Sequence, residues 1–352
     1  MRLSKPISPE AVLSLNSNSF ARGAEKTLPC IFAVEGLSLS EGETSLFAQA
    51  NPFGFILFKR NCDNPEQLKA LVGQLKEIVG RDCPILIDQE GGRVARLQPP
   101  HWKAYKPMRQ YGQMYETQGA QLAMEALRED MTALANELFA LGINVNCAPV
   151  LDLLFDDAHE IIGDRSFGRD PAMVADLGAV VCEAFLDAGV TPVIKHIPGH
   201  GRARADSHDS LPHVADVGRV RLTVNDFAPF SYVSKGEMGA RVWAMSAHMT
   251  YEAFKDDVPV SLSGGVIDKI IRKQIGFDGV LICDDLDMKA LDAYGESVSD
   301  RAVKALGAGC DLALYCAGVL EQMEALAADL PQMSKGALYR LQCGMGAGSA
   351  SV

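Results

Sequence analysis

Residues 191–201 read TPVIKHIPGHG, a run of apolar and β-branched side chains that passes directly into polar ones. An apolar segment this short is typical of a strand that is buried on both faces of a parallel sheet. We therefore predict a strand over Thr191–His196, followed by a glycine-rich loop. The same pattern, a short apolar run that ends in polar residues, recurs along the chain.

Seven further runs of this kind lie before and after this segment, at Cys30–Val34, Gly54–Phe58, Pro84–Ile87, Ile143–Val150, Arg241–Ala247, Gly279–Cys283 and Asp311–Tyr315. Amphipathic helical patterns fill the gaps at Pro65–Val79, Ala120–Leu141, Ala172–Ala188, Gly264–Ile275 and Ser297–Leu306. Ser40 and Glu43 have the spacing of a capping box at the start of an earlier helix. Eight strands that alternate with helices predict an α/β fold, a single-domain (β/α)₈ TIM barrel. A doubly wound open sheet is the alternative, but no G-x-G-x-x-G motif follows the first strand.

The predicted barrel occupies residues 29–335, with a lead-in at residues 1–28 and a C-terminal tail at residues 336–352. No shift in composition marks a second domain, and we expect a monomer.

Lys and Arg number 33 against 45 Asp and Glu, and this net charge of −12 disfavours a nucleic-acid partner. The nine cysteines form no C-x-x-C pair, which is typical of a reducing compartment. Neither a secretory leader nor an apolar membrane span is evident, so we expect a cytoplasmic protein with no membrane partner.

Polar clusters follow the third and fourth predicted strands. Residues 88–96 read DQEGGRVAR and carry two carboxylates and two arginines, and residues 163–168 read GDRSFG. Functional residues of barrel enzymes gather where the strands end, so these arginines are candidates for binding hydroxyl or carboxylate oxygens. A salt-bridged loop without a catalytic role is the alternative interpretation.

Three histidines lie at the end of the fifth predicted strand and in the loop after it, namely His196, His200 and His208, together with Asp206 and Asp209. Imidazole and carboxylate groups are ligands of zinc and iron, so this cluster could bind a metal. Alternatively, Asp206 orients His208, and the pair acts as a general acid and base near neutral pH.

The seventh predicted strand is followed by Asp284 and Asp285, which strand alternation places on opposite faces. One of them should face the barrel mouth, but periodicity does not decide which. His248, at the end of the sixth strand, fits a structural or a site-lining position equally well. Two reaction classes fit all these clusters: displacement at an acetal carbon by a carboxylate nucleophile, and metal-assisted hydrolysis.

Five of these segments resemble the family 3 glycoside hydrolases, and more closely the bacterial single-domain β-N-acetylglucosaminidases of cell-wall recycling. They are DQEGGRVARL at residues 88–97, GDRSFG at 163–168, KHIPGHG at 195–201, DSHDSLP at 206–212 and GVLICDDLDM at 279–288. The resemblance implies a retaining hydrolysis through a covalent glycosyl-enzyme. Asp284 matches the nucleophile of that family, His208 its acid/base and Asp206 the partner of that histidine.

The resemblance also implies a sugar-binding set, which consists of Asp88, Arg96, Arg165, Lys195 and His196. The implied substrate is N-acetylglucosamine β-1,4-linked to 1,6-anhydro-N-acetylmuramic acid, with or without its peptide. Neither a metal nor an organic cofactor is expected. The chain departs from the family pattern at Ile197, Arg202 and Cys283, none of which is a reacting group. A phosphorylase on the same scaffold is the nearest alternative, followed by a metal-dependent barrel hydrolase and a non-catalytic sugar-binding module.

Overall fold

The computed structural model describes residues 20–156, 160–207 and 210–344, apart from the side chain at position 237. Its main sheet contains eight parallel strands: Leu28–Ala33, Pro52–Leu57, Ile85–Ile87, Val145–Asn146, Thr191–Ile197, Trp243–Ser246, Leu281–Cys283 and Ala313–Tyr315. Each strand pairs with the next along the chain up to the seventh, and the first also pairs with the eighth. A bridge between Ile282 and Leu312 brings the seventh and eighth strands together, so the sheet is a nearly closed barrel. The predicted (β/α)₈ fold is thereby confirmed.

The fourth strand is shorter than the sequence predicts. The apolar run Ile143–Val150 contributes only Val145–Asn146 to the ladder, followed by a single bridge between Val150 and Lys195. Proline has no N–H to donate, so the ladder is interrupted at Pro149.

Helices surround the barrel, at Glu41–Ala50, Pro65–Val79, Met108–Gln118, Ala120–Ala140, Pro171–Asp187, Arg219–Val224, Ala228–Val233, Gly236–Arg241, Gly264–Val266, Val298–Ala308, Leu320–Asp329 and Lys335–Cys343. Ile267–Ile275 continues the Gly264–Val266 helix as a π-helix, which the sequence did not predict. The capping box is confirmed, since the Glu43 backbone N–H donates to the Ser40 hydroxyl and the Ser40 N–H donates to the Glu43 carboxylate. Within the described ranges, every helix is too short or too polar to cross a membrane.

The packed part of the molecule extends beyond the predicted barrel boundaries at residues 29 and 335. Phe20 is buried with its ring edge-on to Trp243, at 5.9 Å between centroids. At the other end, the helix Lys335–Cys343 buries Ala337 and Leu341, and Arg340 donates to Asp311 at 2.8 Å. Burial of these apolar side chains holds both segments against the barrel.

Candidate active site

A cavity of about 300 Å³ lies where the barrel strands end. Its polar wall consists of Asp88, Glu90, Arg93, Arg96, Arg165, Lys195, His196, His200, Ser207, Asp284 and Asp285. Six of the predicted site residues are therefore brought together: Asp88, Arg96, Arg165, Lys195, His196 and Asp284. Apolar side chains, among them Phe58 and Met245, complete the wall. A concave site with a few convergent polar groups is typical of a pocket for a small ligand.

Lys195 is the centre of an ion-pair network in this wall. Its Nζ lies 2.8 Å from Asp88 Oδ1 and 2.6 Å from Glu90 Oε1, and its side chain is only 2% exposed. Arg96 donates to the other oxygen of Asp88 at 3.0 Å. Arg165 donates two hydrogen bonds to the Glu90 carboxylate, from Nε and from a terminal nitrogen, both at 2.9 Å. Such forked pairs hold planar groups in a fixed orientation, so the wall is rigid before a ligand enters.

Charge pairing keeps these groups ionised although they are buried. Burial alone would favour the neutral forms, but Lys195 and Arg96 hold the pKa of Asp88 well below its ordinary value. For Glu90, Arg165 and Lys195 likewise outweigh burial and lower the pKa to about 2. The two carboxylates in turn raise the pKa of Lys195 above its usual value, against the effect of burial. The wall therefore presents fixed charges at neutral pH.

Asp152 is a site residue that the sequence analysis missed. It is fully buried and accepts hydrogen bonds from His196 Nδ1 at 2.7 Å and from the His200 backbone N–H at 2.6 Å. Burial opposes its ionisation, yet His196 keeps the pKa of Asp152 below its ordinary value. With Nδ1 bonded in this way, the second ring nitrogen of His196 is left to face a ligand. The only sequence signal was a carboxylate just after the fourth apolar run.

Asp284 and Asp285 both line the cavity, whereas the alternation predicted that one of them faces the barrel mouth. The seventh strand ends at Cys283, and alternation no longer applies beyond it. Asp285 Oδ1 accepts from the backbone N–H of Cys316 at 3.0 Å and of Asp287 at 3.2 Å, which ties two loops together. Burial raises the pKa of Asp285 to about 6. Asp284 is held differently, with its Oδ1 accepting from the Asp285 N–H at 2.8 Å.

One predicted catalytic residue, Asp206, does not line this cavity. His208 and Asp209 lie outside the described residues, and Asp206 is half-buried in the loop that leads to them. Among the described residues, no three His, Cys, Asp or Glu side chains are grouped as a metal site requires. His248 is structural, since its ring bonds Ser261 Oγ at 2.6 Å and the Asp285 carbonyl at 2.9 Å.

Comparison with known proteins places this site in a family. Residues 31–338 match the glycosyl hydrolase family 3 N-terminal domain. A β-hexosaminidase of Aromatoleum aromaticum is 35% identical over 288 residues, which cover 82% of this chain and 79% of that protein. A β-hexosaminidase of Thiobacillus denitrificans is 36% identical over 292 residues, which cover 82% and 78%.

Solved structures agree with these relatives. NagZ from Neisseria gonorrhoeae in complex with N-trifluoroacetyl-D-glucosamine superimposes with a TM-score of 0.82 at 32% identity, covering 90% of each chain. A family 3 β-N-acetylglucosaminidase from a Paenibacillus species superimposes with a TM-score of 0.78 at 31% identity, covering 95% of this chain and 64% of that one. The chain belongs to glycosyl hydrolase family 3 and is a β-N-acetylglucosaminidase of the β-hexosaminidase type.

Proposed function

We propose that this enzyme is a retaining exo-β-N-acetylglucosaminidase. It removes terminal N-acetylglucosamine from N-acetylglucosaminyl-1,6-anhydro-N-acetylmuramic acid, with or without the peptide, during cell-wall recycling in the cytoplasm. The observation that carries the proposal is the placement of Asp284 in one cavity with the charged wall around Lys195. A carboxylate nucleophile and a set of fixed hydroxyl-binding groups are what such a reaction requires.

The ion-pair network supports recognition of a sugar. Asp88, Arg96, Arg165, Lys195 and His196 offer charged donors and acceptors whose orientation is fixed by partners. A sugar ring presents several hydroxyl groups, each of which can donate and accept, and charge-assisted hydrogen bonds to them are strong and directional. These five residues therefore bind the N-acetylglucosamine unit in the proposed complex.

In the proposed mechanism, an Asp284 oxygen attacks the anomeric carbon while the bond from that carbon to the leaving oxygen breaks. Protonated His208, oriented by Asp206, gives its proton to the leaving oxygen. Neutral His208 then takes a proton from water, which attacks the anomeric carbon and releases Asp284. Histidine suits both steps because its two protonation states are populated near neutral pH.

Two further observations support the substrate and the compartment. The Neisseria gonorrhoeae NagZ that this chain resembles was solved with an N-acylated glucosamine, which favours the same sugar here. All nine cysteines are unpaired, and thiols persist in a reducing compartment.

The proposed activity is tested with nitrophenyl β-N-acetylglucosaminide in phosphate-free buffer that contains a chelator. We expect release of nitrophenol and free N-acetylglucosamine, the sugar first appearing as its β-anomer. Turnover that needs added phosphate and yields a glycosyl phosphate would instead identify the phosphorylase. Turnover that is restored only by a metal ion would identify the metal-dependent hydrolase.

The assignment of His208 predicts a dependence on the leaving group. In His208→Ala, kcat/KM for the natural disaccharide should fall by about 10²- to 10⁴-fold, because its leaving oxygen needs a proton. A dinitrophenyl glycoside, whose leaving group needs none, should be cleaved with nearly unchanged kcat/KM.

His196→Ala is the matched control, because His196 lines the cavity and is bonded to an aspartate, Asp152. Because His196 is a proposed sugar-binding residue, His196→Ala should lower kcat/KM by the same factor for the disaccharide and for the dinitrophenyl glycoside. If the leaving-group dependence follows His196 rather than His208, the proposed acid/base assignment is wrong.

A further inference from the structure

The imidazole of His200 is buried in the cavity wall and has no hydrogen-bond partner for either ring nitrogen among the described residues. The residue is only 3% exposed. Nearly all buried polar atoms in folded proteins are hydrogen-bonded, so two ring nitrogens without a partner require an explanation. Because His200 lines a ligand-sized cavity, we expect a ligand to supply the missing partner.

Neighbouring groups in the wall differ from His200 in this respect. Lys195 already holds Asp88 and Glu90, and His196 Nδ1 is bonded to Asp152. These bonds join protein to protein, so binding a sugar adds to contacts that already exist. In contrast, neither ring nitrogen of His200 is bonded to any part of the chain that the structure describes.

The main chain holds the His200 ring in place. Its backbone N–H donates to Asp152 Oδ1 at 2.6 Å. At the next residue, Gly201, an added Cβ would lie 2.0 Å from the Leu153 carbonyl oxygen, so the two backbone segments are in close contact. These contacts fix the backbone from which the imidazole extends.

The ring is also neutral under ordinary conditions. Burial, and then the neighbouring His196, lower the pKa of His200 to about 4. A neutral imidazole has one N–H donor and one acceptor nitrogen, and it adds no charge to the wall. A hydroxyl group, which both donates and accepts, can pair with either nitrogen.

We propose that His200 binds a hydroxyl group of the sugar ring whose glycosidic bond is cleaved, and thereby contributes to substrate specificity. The inference rests on the proposed function, because it takes the occupant of the cavity to be a β-N-acetylglucosaminide. Asp284, the proposed nucleophile, lines the same cavity as His200, and for this reason the contact is assigned to the sugar unit that Asp284 attacks.

The test compares His200→Leu and His200→Gln with the wild-type enzyme on nitrophenyl β-N-acetylglucosaminide and its 3-, 4- and 6-deoxy analogues. His200→Leu should lower kcat/KM for the parent by about 10- to 100-fold, since a bound hydroxyl loses its partner. Most of that loss should vanish for one deoxy analogue, which lacks the hydroxyl concerned. His200→Gln keeps an N–H donor and should recover part of the activity.

Stability gives a second readout that separates binding from a structural role. Because His200→Leu removes two unsatisfied buried nitrogens, its unfolding temperature should equal or exceed that of the wild type. His101→Leu, a change at an exposed histidine outside the cavity, is the control and should alter neither property.

Two outcomes would overturn the inference: an unchanged kcat/KM in His200→Leu, or the same loss on every analogue. If the uniform loss comes with a lower unfolding temperature, the role of His200 is structural. These outcomes differ from failure of the proposed function. If the wild type does not cleave the parent glycoside, the proposed function fails. If the wild type cleaves it and His200→Leu does so equally well, only the role of His200 is excluded.

Discussion

Asp284→Asn should lower kcat by about four orders of magnitude or more, because the amide cannot form the glycosyl ester with the anomeric carbon. Sugar binding should persist, since Lys195 keeps its ion pairs with Asp88 and Glu90 in this variant. Steady-state kinetics measures the first effect. Calorimetric titration with N-acetylglucosamine measures the second.

Asp287→Asn is the matched control for this prediction. Asp287 is an exposed carboxylate in the same loop and is not part of the cavity wall. The Asp287→Asn variant should retain activity close to that of the wild type. Comparable losses in the two variants would indicate that the loop, rather than the Asp284 carboxylate, is what turnover requires.

Lys195→Met should produce the largest loss of stability, about 3–5 kcal/mol in the free energy of unfolding. The substitution keeps much of the side-chain volume but leaves Asp88 and Glu90 without the cation that lies between them. Chemical denaturation monitored by circular dichroism measures the change. Lys273→Met is the control, because the Lys273–Asp268 pair is exposed and should contribute little.

The same variant should change the acid sensitivity of the protein. Asp88 and Glu90 have pKa values below their ordinary ones in the folded state, so their stabilisation is complete above those ordinary values. It is lost as the pH falls from about 4.5 toward 2. In Lys195→Met the pKa values of both carboxyls lie closer to normal, so stability should fall less across that window. An equally steep decline in both proteins would contradict the coupling of Lys195 to these carboxylates.

The fold followed from the sequence because each strand is a separate local signal. Short apolar runs located all eight barrel strands, and the amphipathic period placed the helix Pro65–Val79 at its observed bounds. The predictions of strand length and of side-chain alternation failed where the backbone leaves the regular strand. Pro149 shortens the fourth strand, and the end of the seventh strand at Cys283 leaves Asp284 and Asp285 outside the alternation.

The candidate site could be predicted only in part, because some of its residues are defined by distant contacts. Asp152 lies 44 residues before His196 and 48 before His200, the histidines whose position it fixes. Glu90 similarly pairs with Arg165, 75 residues later in the chain. A single acidic residue after an apolar run does not reveal such partners, whereas clustered polar motifs such as KHIPGHG do stand out.

The central claim, that Asp284 forms a covalent bond with the sugar, is tested most directly by trapping the intermediate. The enzyme is incubated with a fluorinated N-acetylglucosaminyl donor that slows hydrolysis of the intermediate, then digested and mapped by mass spectrometry. We predict one adduct, with the mass of the fluorinated N-acetylhexosamine, on the peptide that contains Asp284, and none in Asp284→Asn. An adduct on a different carboxylate, or a product with inverted configuration and no adduct, would contradict the account.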